Sequence, residues 1–202
     1  AYGYGFINPS PMAYPELREF YYGERNSLSP EMFQSPIAVG VSSVADYHLY
    51  LLYTVAAIWR ISGVSWSSLE PLLAFLLGWT AVAAYGLMRL GMGRVLSLLF
   101  AAMFILSPAV LGVVIELRDF SKAPFLLSIL FVLGWLIKSR ADGRRMLIAA
   151  TLLGLLTGVA MGFRQDALVF APLAFVVVFI CGIRGSGNRL WYGLLSAFLF
   201  LV

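Results

Sequence analysis

From residue 71 to residue 183 the chain is a succession of apolar runs, at 71–88, 95–115, 123–137, 146–163 and 167–183, separated by short turns that hold most of the charge. A helix rises 1.5 Å per residue, so a run of roughly 20 residues crosses hydrocarbon about 30 Å thick. Four of these runs are read as full spans. The run at 123–137 is short and needs a thinned bilayer or help from Phe120. Another run begins at 190 and reaches the end of the chain. Composition agrees, since 61% of the 202 residues are apolar and 12% charged. Soluble domains sit near 45–50% apolar and about 25% charged. A soluble globule of this size could not cover so much apolar surface, and a disordered chain would not carry it. The expected class is an all-α polytopic membrane protein.

Residues 1–46 form a different block, rich in Tyr, Pro, Ser and Gly, with a short helix expected near 16–22. Its tyrosines suit a layer at the headgroups. The apolar run at 50–59 is about half a span, which favours an interfacial or re-entrant helix. The expected organisation is an extracytoplasmic and interfacial segment over 1–65 and a transmembrane bundle over 66–202. The chain starts without Met and stops inside an apolar run, and is read as a fragment.

The charges set an expected orientation. If 71–88 runs from outside to inside, the inside turns hold Arg89, Arg94, Lys138, Arg140, Arg144, Arg145, Arg184 and Arg189. Short loops rich in Lys and Arg stay cytoplasmic. The acidic residues Glu16, Glu19, Glu24, Glu31, Asp46, Glu70, Glu116, Asp119 and Asp166 then lie outside, with only Asp142 inside. The net charge of +4 is scattered singly, so it reports topology rather than a nucleic-acid partner. The single cysteine, Cys181, provides neither a disulfide nor a thiolate metal site.

Carboxylates gathered on one face need a cause, and the outside turns supply candidates. The segment ELRDFSK at 116–122 is either a solvated loop with an Arg118–Asp119 or Glu116–Lys122 pair, or a grip in which Arg118 and Lys122 hold an anionic headgroup. Arg suits phosphate because its planar fork donates two parallel hydrogen bonds. In the segment GFRQD at 162–166, Arg164 either snorkels to the interface or joins that grip. Glu16, Arg18, Glu19, Glu24 and Arg25 form a charged face in which a carboxylate could act as general base. Asp46 and His48 open the interfacial segment, and His48 has no second histidine with which to hold a metal. Gly154, Gly158 and Gly162 share one helix face and permit close helix packing. Phosphate-loop, dinucleotide, HExxH and CxxC motifs are all absent from the sequence.

The order of these elements resembles the N-terminal half of GT-C membrane glycosyltransferases, in the style of the protein O-mannosyltransferase and aminoarabinose-transferase group. The resemblance rests on residues 46–180: the aromatic segment HLYLLY at 48–53, the turn RLGMGR at 89–94, Ser107-Pro108, Arg118-Asp119, and LGLLTG at 153–158 leading to Arg164. It implies a GT-C-like helix bundle in which a sugar leaves a polyprenyl-phosphate donor on the outer face for an acceptor glycan, lipid or protein. It also implies a catalytic carboxylate in the first outside loop. The family's Asp-Glu pair is missing there, with Glu16 and Glu19 as positional stand-ins, and Tyr47-His48-Leu49 replaces its Pro-Pro-Leu.

The expectation is therefore an inverting transferase in a bacterial inner membrane, its site facing outside. Glu16 or Glu19 would take the acceptor proton, and Asp119 would orient Arg118 or assist the acceptor. Arg118, Lys122 and Arg164, with Asp46 and His48, would bind substrate. A metal requirement is not readable from the sequence: outside carboxylates could bind Mg²⁺ or Mn²⁺ as a divalent cofactor, but no ligand spacing demands it. The rivals are a transporter or flippase of a lipid-linked sugar and a non-catalytic assembly subunit. The first of these calls for internal repeats or broken helices, and the sequence displays neither.

Overall fold

The computed structural model describes residues 15–29, 48–139 and 143–185, with positions 194, 195, 198 and 200. The chain divides into two compact units, residues 1–75 and 76–202.

In the first unit, α1 (Pro15–Tyr21) starts with proline at a position where its missing N–H costs nothing. It gives way to Gly23 at φ +79°, a left-handed conformation that glycine adopts without a Cβ clash. β1 (Ser27–Leu28) pairs antiparallel with β2 (Val64–Ser65), Leu28 opposite Val64. Between them in sequence lies α2 (Leu49–Ser62), which ends at Gly63 with φ +84°. Fourteen residues rise about 21 Å, short of a bilayer core.

The pairing is held by aromatic side chains. Phe20, Leu28 and Val64 are buried together, with Leu17 and Trp59 against them. Trp66 stacks on Phe20 at 4.9 Å, and its Nε1–H donates to the Phe20 carbonyl at 2.9 Å. Trp59 donates to the Ser65 carbonyl at 2.9 Å. Each indole packs against Phe20 and keeps its one donor satisfied, although Trp66 remains 42% exposed. Two-residue strands are too short for any hydrophobic period, which is why the sequence offers no sign of them.

A 3₁₀ turn (Ser67–Leu69) leads into α3 (Glu70–Arg89). The second unit continues through α4 (Arg94–Ile105), α5 (Pro108–Val114), α6 (Leu117–Phe120), α7 (Ala123–Ser139), α8 (Gly143–Phe163), a 3₁₀ turn (Gln165–Val169) and α9 (Phe170–Gly185). Among the described residues, Ser67–Arg89, Leu117–Ser139 and Arg144–Phe163 are long and apolar enough to cross a membrane. A fourth crossing is made if α4 and α5 count as one.

Two runs differ from the sequence expectation. The run at 95–115 is not one straight span but bends by 55° between α4 and α5. Proline disfavours helical backbone in the residue before it, and Ser107 is extended at φ −65° and ψ 142°. The Ser107 hydroxyl donates to the Phe104 carbonyl at 2.7 Å and accepts from the Val110 N–H at 3.4 Å, capping both fragments. The chain therefore does contain a broken helix, signalled by Ser107-Pro108 alone. The run at 167–183 begins inside the 3₁₀ turn, and turn and helix together make only a shorter apolar segment over Gln165–Cys181. Conversely, α6 lengthens the short run at 123–137 into a 23-residue segment, with Phe120 buried.

The core of the second unit lies where α7, α8 and α9 meet. Ile129, Leu133 and Leu136 pack against Met146, Ala150 and Leu153, and these against Ala174 and Val178. Gly154 gives Phe200 room: a Cβ there would lie 2.5 Å from the Phe200 carbonyl oxygen. Gly158, expected to share that role, faces nothing within 4 Å. Val95, Leu98, Leu99 and Met103 leave α4 with an exposed apolar surface, as a lipid-facing helix requires.

Candidate functional site

Charged side chains converge where α6 and the end of α8 meet. The segment before α7 is stiffened by its own hydrogen bonds. The Asp119 and Phe120 N–H groups donate to the Glu116 carbonyl at 2.9 Å, and the buried Ser121 hydroxyl donates to the Arg118 carbonyl at 3.1 Å. At the end of α8, the Arg164 N–H donates to the Ala160 carbonyl at 2.8 Å, after which its backbone turns extended. That turn swings the guanidinium across to α6.

The resulting network contains three cations and two carboxylates. Arg164 pairs through Nη1 with Asp119 Oδ1, and both atoms are buried. Its Nε reaches Asp166 Oδ2 at 2.7 Å. Lys122 Nζ donates to the same Asp166 oxygen at 3.1 Å. Arg118 stands at 3.7 Å from Asp119 Oδ1 with 64% of its side chain exposed. The hydrogen bond from Lys122 holds the Asp166 carboxyl below its ordinary range; the charges of Arg164 and Lys122 act the same way, and desolvation opposes them.

Four of the expected site residues thus come together: Arg118, Asp119, Lys122 and Arg164. Lys122 is paired with Asp166 rather than with Glu116. The sequence did not single out Asp166 as a site residue, although it bridges Lys122 and Arg164; its signal was the segment GFRQD at 162–166. Thr157 was also missed. It is 4% exposed in α8, and its hydroxyl has no hydrogen-bond partner among the described residues.

The remaining candidates belong to the first unit. Glu16 lies in α1 and pairs with Arg25 at 3.0 Å. Glu19 is exposed on the same helix, and among the described residues its carboxylate makes no ion pair. Its carbonyl accepts from the Glu24 and Arg25 N–H groups at 2.8 and 3.1 Å. His48 is half-buried at the N-cap of α2 and makes no side-chain cap. Asp46 lies outside the described residues.

Among the described residues no group of three or more His, Cys, Asp or Glu side chains could hold a metal ion. Asp119 pairs with Arg118 and Arg164, and Asp166 with Lys122 and Arg164, so both carboxylates are already engaged by cations. Comparison of the chain with protein-family models, with curated proteins and with solved structures finds no match.

Proposed function

We propose that the chain works as a membrane glycosyltransferase of GT-C type, moving a sugar from a polyprenyl-phosphate donor to an acceptor on the extracytoplasmic face. The observation that carries this reading is the network of Arg118, Lys122 and Arg164 around Asp119 and Asp166, at one end of a bundle whose buried side chains, among the described residues, are apolar or hydroxyl-bearing and never charged. Cations at a membrane boundary are retained where they are solvated, paired or used. Three cations against two carboxylates leave one positive charge over, and the most exposed cation is Arg118.

In this reading the donor phosphate meets the Arg118 fork, while Lys122 and Arg164, held in place by Asp166, supply positive potential behind it. As the sugar–phosphate bond breaks, negative charge grows on the departing phosphate oxygen, and fixed cations stabilise it without reorganising. Asp119 positions both arginines. The acceptor hydroxyl loses its proton to a carboxylate of the outside segment. Glu19 suits that role better than Glu16, whose carboxylate is held by Arg25.

The 55° break at Ser107-Pro108 favours a second reading, a transporter of the same lipid-linked sugar, since broken helices recur at transport sites. Reconstitution with a panel of polyprenyl-phosphate sugars separates the two. Release of polyprenyl phosphate with transfer to an acceptor supports the enzyme. Movement of an intact donor between leaflets without release replaces it with the transporter.

A further inference from the structure

The ions of the charged network form a row of alternating sign: Arg118, Asp119, Arg164, Asp166 and Lys122. Each carboxylate serves two cations, but the two are built in with different firmness. Asp119 lies on α6 and holds Arg164 through a buried oxygen. Asp166 is 55% exposed and sits on the 3₁₀ turn Gln165–Val169, in which only Ala167 is buried. A buried pair is costly to open, because each partner loses its counter-charge away from water. An exposed pair is held weakly, and its ions can be replaced from solution.

A single oxygen of Asp166 receives both of its cations. Oδ2 lies 2.7 Å from Arg164 Nε and 3.1 Å from Lys122 Nζ. Guanidinium and ammonium groups grip a phosphate oxygen at the same distances as a carboxylate oxygen. The hydrogen bond from Lys122, with the charges of both cations, keeps the carboxyl below its ordinary range, so the position favours negative charge. It is an oxyanion position assembled from the start of α7 and the end of α8, and the protein's own carboxylate fills it.

We infer that Asp166 stands in for the donor phosphate between turnovers. Its carboxylate neutralises Lys122 and Arg164 until phosphate arriving at Arg118 displaces it, and a phosphate oxygen takes the place of Oδ2. Asp166 then turns into the solvent that already reaches half of its side chain, while Asp119 keeps Arg164 in position. No cation is left bare during the exchange. A tethered carboxylate competes at high local concentration, so weakly held anions such as chloride are kept off the two cations. This rests on the glycosyl-transfer reading and gives its phosphate site a means of regulation.

Binding of farnesyl phosphate, with farnesol as the uncharged control, tests this on the full chain in phosphatidylcholine nanodiscs. Wild type is expected to bind the phosphate more tightly than the alcohol. Asp166→Asn and Asp166→Ala should each tighten farnesyl phosphate binding by about tenfold, the factor of one charge-assisted contact freed for the ligand. Adding Lys122→Gln should remove that gain. Glu116 is exposed in the same segment, and among the described residues its carboxylate meets no cation. Glu116→Gln removes an equal charge and should change binding by less than about twofold, as screening predicts. Unchanged or weaker binding in both Asp166 variants, or an equal gain in Glu116→Gln, would overturn the stand-in. If Arg118→Ala then still loses binding, the phosphate site of the transfer reading survives without it. Equal binding of farnesyl phosphate and farnesol by wild type and every variant would overturn both.

Discussion

Arg164 and Asp119, from the ends of two membrane-length segments, face each other with side chains only 21% and 30% exposed, their paired Nη1 and Oδ1 atoms buried. Asp119 also stands 3.7 Å from Arg118. One carboxylate thus positions two guanidiniums, one half-buried and one directed to solvent. Removing either partner of a half-buried pair leaves the other charge poorly solvated. In detergent, Asp119→Asn and Arg164→Gln should each lower stability. A double-mutant cycle should give a coupling of about 1–3 kcal/mol. Strictly additive losses in thermal unfolding would show that the pair carries no mutual stabilisation.

Arg118 should matter to turnover and little to folding. Its ion pair is long and exposed, so Arg118→Ala should change stability by under about 0.5 kcal/mol. If Arg118 holds the donor phosphate, the same substitution should slow transfer by about tenfold to a hundredfold. Arg118→Lys should restore part of the rate, since it keeps the charge and loses the fork. Donor turnover in reconstituted membranes measures all three proteins, and a wild-type rate from Arg118→Ala removes the phosphate role.

The Lys122–Asp166 tie should respond to acid. The Asp166 carboxyl is held below its ordinary value of 3.8, so its contribution is present above that value and disappears as pH falls through the lowered one. Asp166 is 55% exposed, which screens the effect to under about 1 kcal/mol. Unfolding followed between about pH 5 and pH 2 should therefore show a shallower pH dependence in Asp166→Asn than in wild type. Parallel curves would mean that the tie contributes nothing.

At Gly154 the expected effect is steric. A methyl group would come within 2.5 Å of the Phe200 carbonyl oxygen, so Gly154→Ala has to push backbone aside. A loss of about 1–3 kcal/mol is expected. Gly158→Ala, in open space on the same helix, should be neutral or slightly stabilising through its helix propensity. Melting temperatures of the two variants make the comparison directly.

Orientation is open to single-cysteine labelling in a Cys181→Ser background. Cysteines at positions 118 and 166 should react with an impermeant reagent from outside. A cysteine at position 144 should react only after the membrane is opened. Labelling of 118 and 144 from the same side would overturn the reading of the basic turns as cytoplasmic.

The apolar runs were legible because lipid-length helices need only length and composition, both of which are local. The helix at α1 was legible through Pro15 and the residues after it. The break between α4 and α5 was not read, because Ser107-Pro108 interrupts a run whose average hydropathy stays high. The β1–β2 pairing was hidden for another reason: it joins Leu28 to Val64, thirty-six positions away, through strands of two residues each.

The same division holds at the site. The sequence by itself determined that charge sits only at the ends of apolar segments, because burying it within them is too costly. It also set the types of group available, with Arg118, Lys122 and Arg164 as cations and Asp119 as a carboxylate beside them. Only the tertiary structure decided that Arg164 reaches Asp119, that Lys122 takes Asp166 and leaves Glu116, and that Gly154 rather than Gly158 admits a neighbouring backbone. The physical reason is that such partners depend on how far each helix end is rotated and raised against the next. That is set by the packing of Ile129, Leu133, Met146 and Leu153 in the core, well away from the charges themselves.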